Sequence, residues 1–517
     1  MLAIRVDVTT VQQMAPSRES TYQIALLGLL LTTSFASGAA PSTAAIKTPA
    51  RPHVVLIMSD DQGWGDTGYN GHPILKTPHL DAAAAAGLRL DRFYAAAPSC
   101  SPTRASVLTG RHPNRMGVFS WGIPIRPQEF TIAELLKQHG YRTGHFGKWH
   151  LGSVRPESPV NPGKTGFDRW VSAPNFFDRD PLMSDQGVAR QMFGESSEVA
   201  VDLALEWMRS QLLPDPGTPP AKPTTSPPAE VAPLFVVIWL GSPHLPHLAD
   251  PRDAAPYADQ PKKLREYLGE VAGVDRAFGH LRDELQTLGI RENTLLWFCS
   301  DNGAIPVVGN SGENRGAKHS VYEGGLLVPA FIEWPAMIRQ PRSTPVRCGT
   351  VDIFPTLANI VGASREGLRP LDGISLLPLL RGEMSLRPAP MAFWNANIPG
   401  LFSPSDSLMH KMERKQDAGR EPKVEPASRK AGEIPKAGYA ADQFGGHSAW
   451  IEGDWKLHRF STMDGAKVRW ELYNLAIDPL EKLDVSKLHP EVLKTMQSGL
   501  DEWLEKVVGS LHGRDYE

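Results

Sequence analysis

Three short apolar runs constrain this chain more than any other feature. His53-Val54-Val55-Leu56-Ile57-Met58, Leu234-Phe235-Val236-Val237-Ile238-Trp239-Leu240 and Thr294-Leu295-Leu296-Trp297-Phe298-Cys299 are nearly continuous in hydrophobicity. A strand with one solvated face alternates apolar and polar residues, so unbroken runs predict strands buried on both faces. That pattern belongs to an α/β fold with helices flanking the sheet. Each run breaks into a polar cluster: Asp60-Asp61 after the first, Ser242-Pro243-His244 after the second, Asp301-Asn302 after the third. Open α/β sheets bind ligands beyond the C-terminal ends of their strands. Taken alone, an Asp-Asp pair before glycine also suits a solvated turn.

Between the first two runs stands Cys100-Ser101-Pro102-Thr103-Arg104, followed by Ala105-Ser106-Val107-Leu108-Thr109-Gly110-Arg111. Ser101 is expected as an N-cap and Pro102 as the first helical residue, where a missing N–H costs nothing. Gly110 is expected just past the helix end. Cys100 would then sit at the positive end of a helix dipole, with Arg104 one turn in, a place suited to an anion and a nucleophile. A second stretch, Gly140-Tyr141-Arg142-Thr143-Gly144-His145-Phe146-Gly147-Lys148-Trp149-His150-Leu151-Gly152, places Lys148 and His150 two residues apart. In an extended segment both would face one side.

These two stretches together resemble the signatures of the formylglycine-dependent sulfatases: Cys-x-Pro-x-Arg leading to Thr-Gly-Arg, and Gly-Lys-Trp-His-Leu-Gly. The closest likeness is to the arylsulfatase A and N-acetylgalactosamine-6-sulfatase group. The resemblance implies an alkaline-phosphatase-like fold, a large mixed sheet flanked by helices with a smaller C-terminal antiparallel sheet and helix. It implies that a separate maturation enzyme oxidises Cys100 to formylglycine, whose hydrate attacks sulfur. Asp60, Asp61, Asp301 and Asn302, with residue 100, match the family's metal ligands. Their hard oxygens suit Ca2+, with Mg2+ as the alternative. Arg104 would stabilise the anionic nucleophile, and Lys148 would contact the hydrate and the sulfate. His150 would move protons, and His244 and Lys318 would bind sulfate, one of them protonating the leaving alcohol. His247 is a secondary candidate for substrate contact, and Asn175 fits a turn as well as a substrate contact. Asp66, Glu323 and the glycines beside it are expected to be structural.

Across its 517 residues, hydrophobic content is 41% and charged content 21%, ordinary for a globular protein. A net charge of −3 gives no reason to expect nucleic acid as a partner. Three cysteines are too few for a disulfide scaffold, and Cys299 in its apolar run is expected to be a buried free thiol. Residues 1–40 read as a signal-peptide region. Ile24 to Leu31 is an apolar core too short to span a membrane, Arg18 precedes it, small residues Ala36 to Ala40 follow, and Met14 is a candidate start. Export to a periplasm or the cell exterior follows. A catalytic domain is expected over 50–387 and a smaller C-terminal part over 388–517. The latter would hold strands around Ala449-Trp450-Ile451, Trp455-Lys456-Leu457 and Glu471-Leu472-Tyr473, and a helix over Val492 to Val508. Leu264 to Leu288 is expected to be a long amphipathic helix. Pro214 to Pro233 reads as an extended surface loop, and Ser403 to Tyr439 as a flexible, polar excursion that borders the pocket and offers basic residues to an anionic glycan.

Three functions are weighed. The first is hydrolysis of an organic sulfate ester, with a carbohydrate sulfate as substrate. The second is hydrolysis of phosphate or phosphonate esters on the same fold. The third is non-catalytic binding of sulfated glycans, which a lost nucleophile or metal ligand would favour. The motifs keep both.

Overall fold

The computed structural model describes residues 51–213, 231–418 and 444–516. The expected leader, most of the proline-rich loop and residues 419–443 lie outside these. Among the described residues no helix is long and apolar enough to cross a membrane.

All three apolar runs are strands: β1 (His53–Ser59), β3 (Leu234–Trp239) and β4 (Thr294–Ser300), joined by β2 (Arg142–Lys148). They lie side by side in the order β4-β1-β3-β2, the centre of a ten-stranded sheet. All three pairings are parallel, with Ser59 opposite Ser300 and Met58 opposite Trp239. Their C-terminal ends therefore reach one edge together. Beyond β4 lie Ala330–Glu333, Leu88–Leu90 and Arg342–Thr344, and beyond β2 lie Arg169–Ala173, Leu182–Asp185 and Val188–Gln191. The first of these pairs antiparallel to β4, which makes the sheet mixed.

Burial follows the two-residue strand period. Val54, Leu56, Met58, Phe235, Val237 and Trp297 enter one core, and Val55, Ile57, Val236, Ile238, Leu296 and Phe298 enter the other. One layer includes α1 (Cys100–Thr109). The other includes α2 (Ser196–Leu212) and α3 (Lys262–Thr287), close to the long helix expected over Leu264 to Leu288. Helix α1 starts two residues earlier than the proline pattern predicts. Ser99 is its N-cap, and Cys100 occupies its first position. Ser101 is not the cap; its hydroxyl accepts from the N–H of Gly122 at 2.8 Å. Gly110 does end the helix, at φ 67°. All three cysteines are buried and free.

The second, smaller sheet has four antiparallel strands rather than three. Met391–Asn395 precedes the expected Gly446–Glu452, Trp455–Ser461 and Val468–Asn474. Residues 405–417 form a helix, α4 (Ser405–Asp417), where a flexible excursion was expected. The chain closes with α5 (Pro490–Leu511), whose Leu500, Leu504 and Val507 join the same core as α1.

One carboxylate ties α5 to the segment after α1. Asp372 accepts two hydrogen bonds from Arg115 (2.7 and 2.8 Å), one from the N–H of His112 (2.6 Å) and one from Trp503 Nε1 (2.9 Å). Burial pushes its pKa up, but the Arg115 charge and these donors outweigh burial and hold it below the ordinary 3.8. The folded group stays charged where the unfolded chain binds a proton. Its stability is therefore present above about pH 4 and lost as pH falls further. Asp372→Asn is expected to cost about 3 kcal/mol near neutrality. In urea melts the gap to wild type should close as pH drops below about 4. An equal gap in acid and at neutrality would contradict this role.

Candidate active site

The edge where β1, β3, β4 and β2 end collects one charged group after another. Asp60 and Asp61 follow β1, Asp301 and Asn302 follow β4, Lys148 ends β2, and His244 lies just past β3. Backbone bonds stitch these ends together: Asp60 N to Ser242 O (3.0 Å), Asp301 N to Ser59 O (3.2 Å) and Leu240 N to Met58 O (2.9 Å). Asp61 takes φ 67°, turning its N–H toward Asp301 Oδ1 at 3.1 Å. Gly147 has a clear steric role. A Cβ there would lie 1.9 Å from the Trp239 carbonyl oxygen, so only glycine lets β2 run this close to β3 just before Lys148.

Cations interleave with the carboxylates. Lys148 Nζ is 2.5 Å from Asp60 Oδ2, and Lys318 Nζ is 2.7 Å from Asp61 Oδ2. Arg104 Nη2 lies 2.6 Å from Asp301 Oδ2 and 3.7 Å from Asp60 Oδ2, with its guanidinium over the Trp239 ring at 5.1 Å. His244 Nε2 is 3.7 Å from Asp61 Oδ2, and its ring stacks on Phe176 at 4.3 Å. Asp60, Asp61, Cys100, Arg104, Lys148, Asp301 and Asn302 are all at most 1% exposed.

Burial and charge act against each other here. Burial pushes Asp61 up, but Lys318 and His244 outweigh it and leave its pKa below the ordinary value. Asp301 rises to about 6 through burial and the charge of Asp60, although Arg104 and Lys148 draw it down. Burial pushes the Cys100 thiol up while Lys148 and Lys318 draw it back, and the net shift is upward. A thiol kept protonated is a poor nucleophile. His150 is held well below its ordinary value by burial and by the charges of Lys148 and Arg104. Lys318 loses to burial but gains more from Asp61 and is shifted up.

A cation fits this cluster. Ligand atoms of Asp60, Cys100 and Asp301 lie within 4.8 Å of one another, as do those of Asp60, Asp61 and His244. Asp60 Oδ1 and Asn302 Oδ1 are buried without a hydrogen-bond partner. Buried acceptors left unpaired are costly, and carboxylate and amide oxygens are what a hard divalent ion takes.

Most of the residues singled out from sequence come together here. His150 reaches the cluster differently from expectation. Lys148 ends the strand, and His150 lies beyond it at φ 54°, with Nε2 3.4 Å from Ser403 Oγ. His247 turns away toward Glu270 (3.4 Å) and Tyr267. Asn175 is a junction residue. Its N–H donates to Ser405 Oγ at 2.9 Å, and its Nδ2 is 3.4 Å from Ser403 Oγ. Asp66 is structural, accepting from Tyr267 Oη, Gly63 N–H and Asn310 N–H.

Glu323 does more than shape a turn. Its carboxylate accepts from Lys456 Nζ at 2.7 Å and Tyr94 Oη at 2.8 Å, and Lys456 also lies 3.0 Å from Glu481. Glu481 accepts in turn from the Glu323 N–H and pairs with His458 at 2.6 Å. This buried network holds the loop that presents Lys318 against the four-stranded sheet. Glu323 and Lys456 are 133 residues apart, so no local motif announces them.

Fold and site together define a class: a hydrolase of anionic esters built on a mixed α/β sheet. The comparisons narrow it. The family model described as Sulfatase matches residues 52–363, and the chain belongs to that family and is a sulfuric ester hydrolase. N-acetylgalactosamine-6-sulfatase of Mus musculus is 32% identical over 385 residues, 66% of this chain and 68% of the relative. The crystal structure of Ps i-CgsB in complex with k-i-k-neocarrahexaose superposes with TM-score 0.70 at 23% identity, covering 88% of this chain and 93% of that one. The phosphonate monoester hydrolase of Agrobacterium radiobacter shares the fold at TM-score 0.52 and 21% identity, over 89% of this chain and 96% of that one.

Lys456→Met is expected to cost about 3–5 kcal/mol, because it strands two buried carboxylates. A fall in the urea midpoint worth less than about 1 kcal/mol, the scale of an exposed pair, would contradict the network's role.

Proposed function

We propose that this enzyme hydrolyses the sulfate ester of a carbohydrate, using formylglycine made from Cys100 and a Ca2+ ion held by Asp60, Asp61, Asp301, Asn302 and residue 100. One observation carries the proposal. Cys100 sits buried at the first position of α1, its Sγ grouped with the carboxylates of Asp60 and Asp301, and Lys148 and Lys318 bear on it electrostatically. Replacing that protonated thiol with an oxygen nucleophile suits both the ion and the chemistry. The carbohydrate reading rests on N-acetylgalactosamine-6-sulfatase among the relatives.

The hydrate of formylglycine supplies two hydroxyls, one to attack sulfur and one to release it. Ca2+ supplies Lewis-acid neutralisation of the sulfuryl oxygens. The remaining work falls to the chain. Arg104 stands against both Asp60 and Asp301 and offsets their mutual repulsion, and its Nη1 is a further buried donor without a partner. Lys148 and Lys318 surround the bound sulfate with positive charge already oriented, which favours charge developing on its oxygens. His244, its pKa lowered to about 3 by burial, binds as a neutral imidazole. Lys318, kept protonated beside Asp61, gives a proton to the leaving alcohol, because burial leaves His244 without an imidazolium proton near pH 7. His150 stays neutral near pH 7, because burial and its cationic neighbours disfavour the imidazolium. A neutral imidazole can accept a proton, and its Nδ1 is the nitrogen without a partner. Maturation requires a separate formylglycine-generating enzyme, and the leader signals support export to a periplasm or the cell exterior.

The phosphonate hydrolase with the same fold makes phosphorus esters the alternative substrate class. Matured enzyme should release sulfate from an N-acetylhexosamine 6-sulfate with kcat/KM at least about a hundredfold above that for the matching 6-phosphate. His150→Ala should lose about a hundredfold or more in kcat on the sulfate. A preference for the phosphate would overturn the reading, and full activity in His150→Ala would remove that residue's role.

A further inference from the structure

We propose that the cavity beside His150 binds an uncharged apolar ring group carried on the alcohol side of the ester, such as the aglycone of a sulfated glycoside. The inference rests on the sulfate-ester reading of the site and specifies what that ester is attached to.

The cavity has a volume of about 370 Å3, within the usual range for small-molecule sites. His150 lines it, and Ser403, 3.4 Å from His150 Nε2, lines it too. The cavity therefore adjoins the cluster through His150, the residue to which the mechanism gives a proton transfer. Val154 and Val160 form one wall, and Leu408, Met409 and Met412 of α4 form the other. Phe402 stands at the mouth with 90% of its surface exposed.

The wall supplied by α4 follows from its sequence. Ser405, Met409 and Met412 recur at helical spacing and are buried, while Asp406, Lys411, Glu413 and Lys415 fall on other faces. The stripe faces open volume as well as protein, and methionine adapts its shape to apolar ligands. The described start of the expected Ser403 to Tyr439 stretch thus borders the cavity, and there it presents Leu408, Met409 and Met412 rather than basic side chains; residues 419–439 lie outside the described residues.

Charge around the cavity argues the same way. Its lining offers one cation and one anion, Arg155 and Glu157, so it holds no surplus of positive charge. Outside the lining, Asp178 is pushed up to about 6 by burial and by the charge of Asp406 of α4. A second sulfate or a uronate placed here would lose its hydration without gaining a cation. The sulfate subsite is the opposite case, with Lys148 and Arg104 on Asp60 and Lys318 on the adjacent Asp61. The site therefore selects one anionic group next to an apolar neighbour and disfavours a polyanion.

The test uses the full-length protein and two fluorescent probes. The first is 4-methylumbelliferone, which has no ester and reports binding to the cavity without turnover. Leu408→Asp puts a charge into the wall, in the first turn of α4 where a carboxylate suits the helix dipole. Ser153→Trp fills the cavity from an exposed position on its lining. Each variant's fold is checked by circular dichroism and thermal melting. Wild type should bind the coumarin saturably, and both variants should weaken binding about tenfold or more. With the second probe, 4-methylumbelliferyl sulfate, the variants should raise KM about tenfold and change kcat much less. Equal binding by wild type and both folded variants, or no binding by wild type up to the solubility limit, overturns the proposal. Coumarin binding without sulfate release from any ester would sink the hydrolase reading and leave the cavity's ligand class standing. Sulfate release with no effect of either substitution would do the reverse.

Discussion

The structure depends on a repulsion it has to contain. Parallel pairing in register brings β1 and β4 to the same edge, and so sets Asp60 and Asp61 beside Asp301 with almost no exposure to water. Three buried carboxylates in one place are unfavourable unless cations share the space. Arg104 comes from α1, Lys148 from the end of β2 and Lys318 from a loop held by the small sheet. The requirement to neutralise this edge thus dictates where distant parts of the chain must pack. The same concentration of carboxylate and amide oxygen is what suits the edge to the hard divalent ion proposed for it.

Supporting the cluster takes a large share of the remaining fold. Asp66, held by Tyr267 and two backbone N–H groups, shapes the turn after Asp61. The Lys456, Glu323, Glu481 and His458 network anchors the Lys318 loop from behind. Asp372 pins α5 beside the segment that follows α1. The C-terminal sheet and helix therefore complete the site's scaffold although none of their side chains enters the cluster.

Legibility in the sequence tracked the range of the interaction. β1, β3 and β4 could be read because burial on both faces leaves an unbroken apolar run. The cluster residues could be read because they sit in short motifs directly at strand or helix ends. The start of α1 lies two residues before the expected one because Ser101 and Pro102 look like a cap and a first turn. In the fold, Ser99 occupies the N-cap position without a side-chain capping bond, and Ser101 accepts from the Gly122 N–H. The geometry of His150 escaped the alternation rule because the strand ends at Lys148 and the next turn takes a left-handed residue. The edge strands Leu182–Asp185 and Val188–Gln191, Met391–Asn395 and α4 were missed or misread. Short edge strands carry little alternation, and α4 has its apolar stripe diluted by charge. Lys456 and Glu481 had no local signal at all, since their meaning lies in a pairing across more than a hundred residues.

The central claim is that this buried, charge-balanced edge exists to hold an oxygen nucleophile at residue 100. Mass spectrometry of the tryptic peptide Phe93 to Arg104, from active protein purified from its native source, tests it most directly. The account predicts an aldehyde in place of the thiol at Cys100. An intact thiol in protein that still hydrolyses sulfate esters would contradict it.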